Sequence, residues 1–137
     1  MKKYISALLC AALVAVCSCS KSDPKEEQVA SDWDTIVLKW DPTLSIFPKY
    51  DGDVEDFGYS KGSYANDFGS VSVETSSFSD YDCAESMATK YYAKFEPAGF
   101  TKDADEYSYQ KTEGDITYVF TGSYSDGTFS LKFQKVY

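Results

Sequence analysis

Three runs between Tyr107 and Gln134 alternate apolar and polar residues with a period of two. Tyr107 and Tyr109 alternate with Ser108 and Gln110. Ile116, Tyr118 and Phe120 alternate with Thr117, Val119 and Thr121, and Phe129, Leu131 and Phe133 with Ser130, Lys132 and Gln134. A strand sends successive side chains to opposite faces, so each run reads as a strand with one apolar face. Glu113-Gly114-Asp115 separates the first pair of runs, and Ser125-Asp126-Gly127-Thr128 the second. Asp-Gly suits a two-residue hairpin, whose central residues both need positive φ. The pattern predicts a three-stranded antiparallel meander, and its apolar face needs a cover.

The cover is predicted to be one amphipathic helix beginning at Ser79. Serine is a good N-cap, and Asp80, Asp82 and Glu85 place negative charge where the helix dipole favours it. Tyr81, Ala84, Ala88, Tyr91 and Phe95 recur at spacings of three and four, with Met87 beside them. Together they form one apolar stripe. Lys90 and Lys94 suit the C-terminal end, and Pro97 and Gly99 stop the helix.

Upstream, Glu55 to Thr75 carries strand signals. Ser70-Val71-Ser72-Val73-Glu74-Thr75 alternates, which suggests valines facing inward. Phe57, Tyr59 and Tyr64 lie in a preceding run, with Ala65-Asn66-Asp67 as its turn and Gly58 and Gly62 as bulge markers. Between Asp32 and Tyr50, Pro42 and Pro48 break regular structure. There Ile36-Val37-Leu38 suits either a short strand or a helical turn, and Trp33, Trp40, Leu44, Ile46 and Phe47 suggest an extended wrap over the domain. The expected order is ββαβββ. It describes one α+β domain over residues 32–137, a two-layer sandwich with one helix on a mainly antiparallel sheet of about five strands.

Residues 1–18 do not belong to that fold. Met1-Lys2-Lys3 followed by a short, mostly apolar run from Ile5 to Val16 has the form of an export signal, too short for a stable membrane span. Val16-Cys17-Ser18-Cys19 resembles the lipobox of bacterial lipoproteins. The resemblance implies an acylated N-terminal Cys19, with Val14-Ala15-Val16-Cys17 as a competing register that would acylate Cys17 instead. A diacylglyceryl group with a further acyl chain (palmitate, for example) anchors a chain stably, since each buried methylene contributes about 0.8 kcal/mol. Residues 19–31 are then the acylated cysteine and a polar tether, spanning roughly 20 Å as a coil. Its acids behind the cysteine, interrupted by Lys21 and Lys25, resemble the signal that sends lipoproteins to the cell surface in Bacteroidetes. The expected location is the cell envelope, lipid-anchored at the outer membrane.

A second resemblance covers most of the remaining chain. Trp40-Asp41-Pro42, Phe47-Pro48, a helix ending in Ala98-Gly99-Phe100 and a tyrosine-rich meander with Asp126-Gly127 are similar to a group of small secreted bacterial domains without an assigned activity. The likeness bears on fold and transfers no active site.

Charge and missing residue types narrow the chemistry. The chain carries 13 basic residues against 22 acids and no histidine, and every basic residue is lysine. Such a surface repels phosphate backbones, so nucleic acid is not an expected partner. Without histidine there is no Ser-His-Asp or Cys-His system and no HExxH zinc site; without arginine, no bidentate phosphate clamp. A pair of carboxylates could still hydrolyse glycosides, but among so many acids some pair meets that spacing by chance. No catalytic residue, metal or cofactor is assigned. Cys83 is the one cysteine beyond the first nineteen residues, which excludes a disulfide framework within the domain. It is expected in the first turn of the helix and buried. Asp51, Asp53, Glu55 and Asp56 form the better of two acidic clusters for calcium, although they lack EF-hand spacing and solvated turns are the commoner outcome.

Most aromatics fall on inward registers. Trp33, Trp40, Tyr50, Tyr59, Tyr64 and Tyr92 do not, and they are the candidate binding residues. The function expected is a non-enzymatic envelope lipoprotein for protein recognition or assembly. A binding module for glycan or another small ligand, built on exposed aromatics, is the alternative.

Overall fold

The computed structural model describes residues 32–104 and 107–137. The expected signal peptide, the acylated cysteine (Cys19 or Cys17) and the tether lie outside the described residues.

Six strands form one antiparallel sheet: β1 (Glu55–Asn66), β2 (Gly69–Asp80), β3 (Thr101–Lys102), β4 (Ser108–Glu113), β5 (Ile116–Ser125) and β6 (Thr128–Val136). Their order across the sheet is β1-β2-β6-β5-β4-β3. The meander β4-β5-β6 forms where the alternation places it. Its turns use positive φ at Gly114 (62°), Asp126 (47°) and Gly127 (84°), as the turn chemistry requires. The strand count is six, not five. The sixth, β3, spans two residues and is too short to show any period.

The alternation of β2 is real, but its phase is opposite to the expected one. Phe78 pairs with Leu131 and Ser76 with Phe133, so even-numbered positions share the face of the buried Phe129, Leu131 and Phe133. Val71 and Val73 therefore point to the other face and are only half-buried. Phe78 finds Trp33, Phe57 and Phe133, and Asp80 finds Tyr50, whereas Val71 and Val73 lie towards the end where the sheet narrows to two strands. The same contacts carry β2 through Ser79, which pairs with Ser130 and is not a helix cap.

The helix starts later, at Glu85, and runs to Tyr92 (α2, after the turn α1 described below). Its N-cap is Ala84, with no side-chain capping bond. Cys83 thus precedes the helix. Tyr81 and Ala84 are exposed, whereas Ala88, Tyr91 and Phe95 are buried. What ends β2 is the buried carboxylate of Asp80. It accepts from the backbone N–H of Asp82 at 3.0 Å and from the Tyr50 hydroxyl at 2.6 Å. Beyond α2 the chain tightens into turns and stops at Gly99, φ 94°. There the N–H groups of Gly99 and Phe100 donate to the carbonyls of Glu96 and Phe95, the paired bonds of a Schellman stop.

The N-terminal wrap is helical and not extended. A π-helical turn (Trp33–Val37) leads into an α-turn (α1, Leu38–Trp40), and a 3-10 helix follows (Pro42–Ile46). Asp41 caps the latter, accepting from the backbone N–H of Thr43 at 3.1 Å, with Pro42 at the first helical position. The wrap and α2 lie on the same sheet face. Phe47 meets Phe133 at 4.8 Å between ring centroids and Phe100 at 5.5 Å, while Phe95 stacks on Phe120 at 4.4 Å. Tyr91 sends its hydroxyl to the Pro48 carbonyl at 2.8 Å, which ties helix to wrap. Among the described residues no buried side-chain nitrogen or oxygen lacks a hydrogen-bond partner.

Candidate functional site

The six candidate aromatics separate into four environments. Trp33 and Tyr50 are core residues, 3% and 1% exposed. They looked external because they lie in an irregular segment, but the helical wrap turns both inward. Trp33 packs edge-on against Phe133 at 5.9 Å, and Tyr50 against Tyr91 at 5.1 Å. Neither is available to a ligand.

Trp40 and Tyr59 meet at a hollow of about 350 Å³, lined also by Asp41, Glu74 and Lys135. Trp40 is held edge-on by Phe57 at 4.9 Å. The floor of the hollow is ionic. Glu74 receives Lys135 at 2.6 Å, Lys61 at 3.0 Å and the Tyr137 hydroxyl at 2.8 Å. These hydrogen bonds, with Lys135 first, hold the Glu74 carboxyl well below the usual carboxylate range, at about 2. A carboxyl depressed in the folded state stabilises it fully above its ordinary value. That contribution is lost as pH falls through the folded value. Between about pH 4.5 and about pH 2, the wild-type denaturation midpoint should therefore drop towards that of Glu74→Gln. Urea titrations at several pH values would check this; a gap between the two proteins that does not narrow on acidification would refute it.

Tyr64 stands on the opposite face of the sheet, paired with Val71 near the tip of the β1–β2 hairpin. β6 reaches β2 only from Val73, together with backbone bonds between Ser72 and Tyr137. Residues 63–71 thus extend beyond the third strand as a two-stranded ribbon, and residues 61–70 are all exposed. At its tip the Asn66 side chain accepts from the N–H of Phe68, and the Phe68 ring is 98% exposed. Phe68 was missed in the sequence because it sits in a turn rather than in an alternating run.

Tyr92 lines a cleft of about 410 Å³ between α2 and the sheet. Tyr107, Tyr109 and Tyr124 join it, with Gly122 behind and Glu85, Thr89, Lys102 and Ser123 around the opening. Tyr92 lies nearly parallel to Tyr109, at 6.2 Å and 25°. Gly122 allows this, because a Cβ there would come within 2.5 Å of the Tyr92 hydroxyl and 2.8 Å of its ring. A glycine inside an alternating strand was the available sequence signal for such an approach.

The remaining candidates do not assemble into a reactive site. Asp51 pairs with Lys94 at 2.7 Å, and Asp56 accepts from the Tyr81 hydroxyl. The calcium candidates Asp51, Asp53, Glu55 and Asp56 are all exposed. Among the described residues no group of three or more cysteine, aspartate or glutamate side chains is arranged to hold a metal ion. Cys83 is buried, and burial pushes its thiol pKa up, against a thiolate nucleophile. Its backbone is pinned to the β5–β6 hairpin by its N–H to Gly127 at 2.8 Å and by the Tyr124 hydroxyl at 3.1 Å. No described helix is long and apolar enough to cross a membrane. No family model, curated protein or solved structure matches the chain.

Proposed function

We propose that this chain is a lipid-anchored, non-enzymatic recognition protein of the cell envelope, which takes up an extended segment of a protein partner along β1. The observation that carries the reading is the edge itself. β1 is a twelve-residue edge strand, about 40 Å long at ~3.4 Å per residue. Among the described residues only β2 pairs with it.

Proteins usually blunt such edges with short strands, prolines, bulges or charges. At the other edge, β3 is blunted by its two-residue length. β1 has no proline, and its register shift is confined to the start, between Glu55 and Gly58. Its one lysine, Lys61, is drawn to Glu74. An incoming strand would find a row of backbone donors and acceptors, the mode used in strand addition, with Tyr64 and Phe68 as apolar contacts near one end. A lipid at Cys19 or Cys17 and a polar tether would hold this domain at the membrane. The lack of histidine and arginine and the burial of Cys83 support a role without catalysis.

Full-length chain carrying a photocrosslinking amino acid at position 68 should trap one envelope protein reproducibly in the native membrane. Phe68→Ser alters no packing, since that ring touches water, yet it should cut capture of the same protein severalfold in a pull-down. Equal capture by Phe68→Ser and wild type, or crosslinks spread over many abundant proteins, would remove the reading.

A further inference from the structure

We propose that the tyrosine cleft between α2 and strands β4–β5 binds a neutral pyranose, one sugar unit of a glycan. The cleft lies on the helix-bearing face of the sheet, apart from the β1 edge, and the two assignments stand or fall separately. Its volume, about 410 Å³, falls within the ~300–1,000 Å³ of small-molecule sites.

The chemistry of the lining selects the ligand class. A pyranose has an apolar C–H face and a rim of hydroxyls, so its site needs an aromatic wall beside polar groups. Tyr92 and Tyr107 supply the wall, inclined at 46° and 5.5 Å apart, with the buried Tyr109 behind them. Gly122 fixes the depth, because any larger residue would drive the Tyr92 ring forward into the space. Tyr107 is 48% exposed, an aromatic lip beside an open cavity instead of a lid over a filled one. Tyrosine rings bring contact area at low conformational cost, as in antibody binding loops.

The polar rim has both signs. Among the described lining residues Glu85 and Lys102 carry the charges, one of each sign. Thr89 adds a hydroxyl, which donates to the Glu85 carbonyl at 3.1 Å and can still accept. The net charge of −9 over the whole chain works against a phosphorylated or acidic sugar. A purely apolar ligand would leave Glu85 and Lys102 facing it without partners. A neutral ligand with many hydroxyls fits both halves of the lining.

The test is a saturation-transfer NMR screen of the full-length chain against neutral oligosaccharides of glucose, mannose, galactose and N-acetylhexosamines, followed by calorimetry on any that bind. At least one sugar should bind. Tyr107→Ala should weaken it about tenfold or more, the scale of a lost aromatic contact together with its buried area. Tyr107→Phe should bind nearly as wild type, because the ring supplies the contact. The thermal midpoint of Tyr107→Phe should match wild type, since the ring and its contact with Tyr92 remain, and Tyr107→Ala is scored at temperatures where circular dichroism shows its fold intact. Tyr59→Ala, in the other aromatic hollow, should bind normally. The proposal is overturned if no neutral sugar binds, if an acidic sugar binds better than its neutral parent, if Tyr107→Ala keeps full affinity, or if Tyr59→Ala is the variant that loses it.

Discussion

Substituting Gly52 by alanine should destabilise the fold by about 2–6 kcal/mol, although the change adds a single methyl group. Gly52 is buried where the loop before β1 passes over Tyr50 and the end of β2. A Cβ there would strike the Asp80 carboxylate and approach the Tyr50 ring and hydroxyl to 2.7 Å. Neither group has room to retreat. Asp80 is held by Tyr50 and by the Asp82 N–H, and the Tyr50 hydroxyl also lies 3.4 Å from the Cys83 sulfur. Burial, and then the bond to Asp80, push the Tyr50 phenol well above its ordinary value, so it remains a donor at every accessible pH. Overpacking costs about 1–3 kcal/mol. Loss of a hydrogen bond to a buried carboxylate costs about as much again. Their sum, about 2–6 kcal/mol, reaches only the lower end of the stability of a domain, about 5–15 kcal/mol. Circular dichroism of Gly52→Ala should show a thermal midpoint lowered by 15 °C or more on the scale of about 4–8 °C per kcal/mol. A midpoint within a few degrees of wild type would mean that the loop yields freely.

Phe120→Ala is the second change with a large expected effect. This fully buried ring stacks on Phe95 at 4.4 Å and touches Phe133, Tyr91 and Tyr92 at centroid distances of 5.1, 5.3 and 6.1 Å. It joins the central strands to α2 and to the segment after it. Truncation leaves a cavity walled by flat, rigid rings that cannot collapse into it, so the cost should lie at the upper end of about 3–5 kcal/mol. Guanidinium unfolding should show a midpoint shifted by that amount with little change in slope. Phe68→Ala, with the same chemistry in water, should shift it by less than about 0.5 kcal/mol.

These two positions also show what could be read in the chain. Phe120 lies in an alternating run bounded by turn residues, and local pattern is enough to place it. The importance of Gly52 depends on Tyr50 and Asp80, thirty positions apart in sequence, and no local pattern announces such a contact. Ser79 failed as a helix signal for a related reason. Serine followed by acids does resemble a cap, but Phe78 and Asp80 each find a buried partner only if the strand continues. Alternation likewise reveals that a strand has two faces without saying which one meets the helix. In β2 that choice fell to the partners of Phe78 and Asp80. At the tyrosine cleft only Tyr92 was visible beforehand, because it lies off the helical stripe. Tyr107, Tyr109 and Tyr124 looked like ordinary inward strand residues. They line a cleft because they lie on the face that α2 covers, where Gly122 lets Tyr92 come close to the sheet.

The place of β6 has a consequence for biogenesis. It is the last of the described strands, yet it lies between β2 and β5 and, among the described residues, joins the hairpin β1–β2 to the ribbon β3–β4–β5. During vectorial synthesis, both outer pieces leave the ribosome before the element that joins them. Phe129, Leu131 and Phe133, the centre of the core, arrive with that element. Until Thr128–Val136 has emerged, the nascent chain lacks the strand that joins its two outer pieces into one sheet.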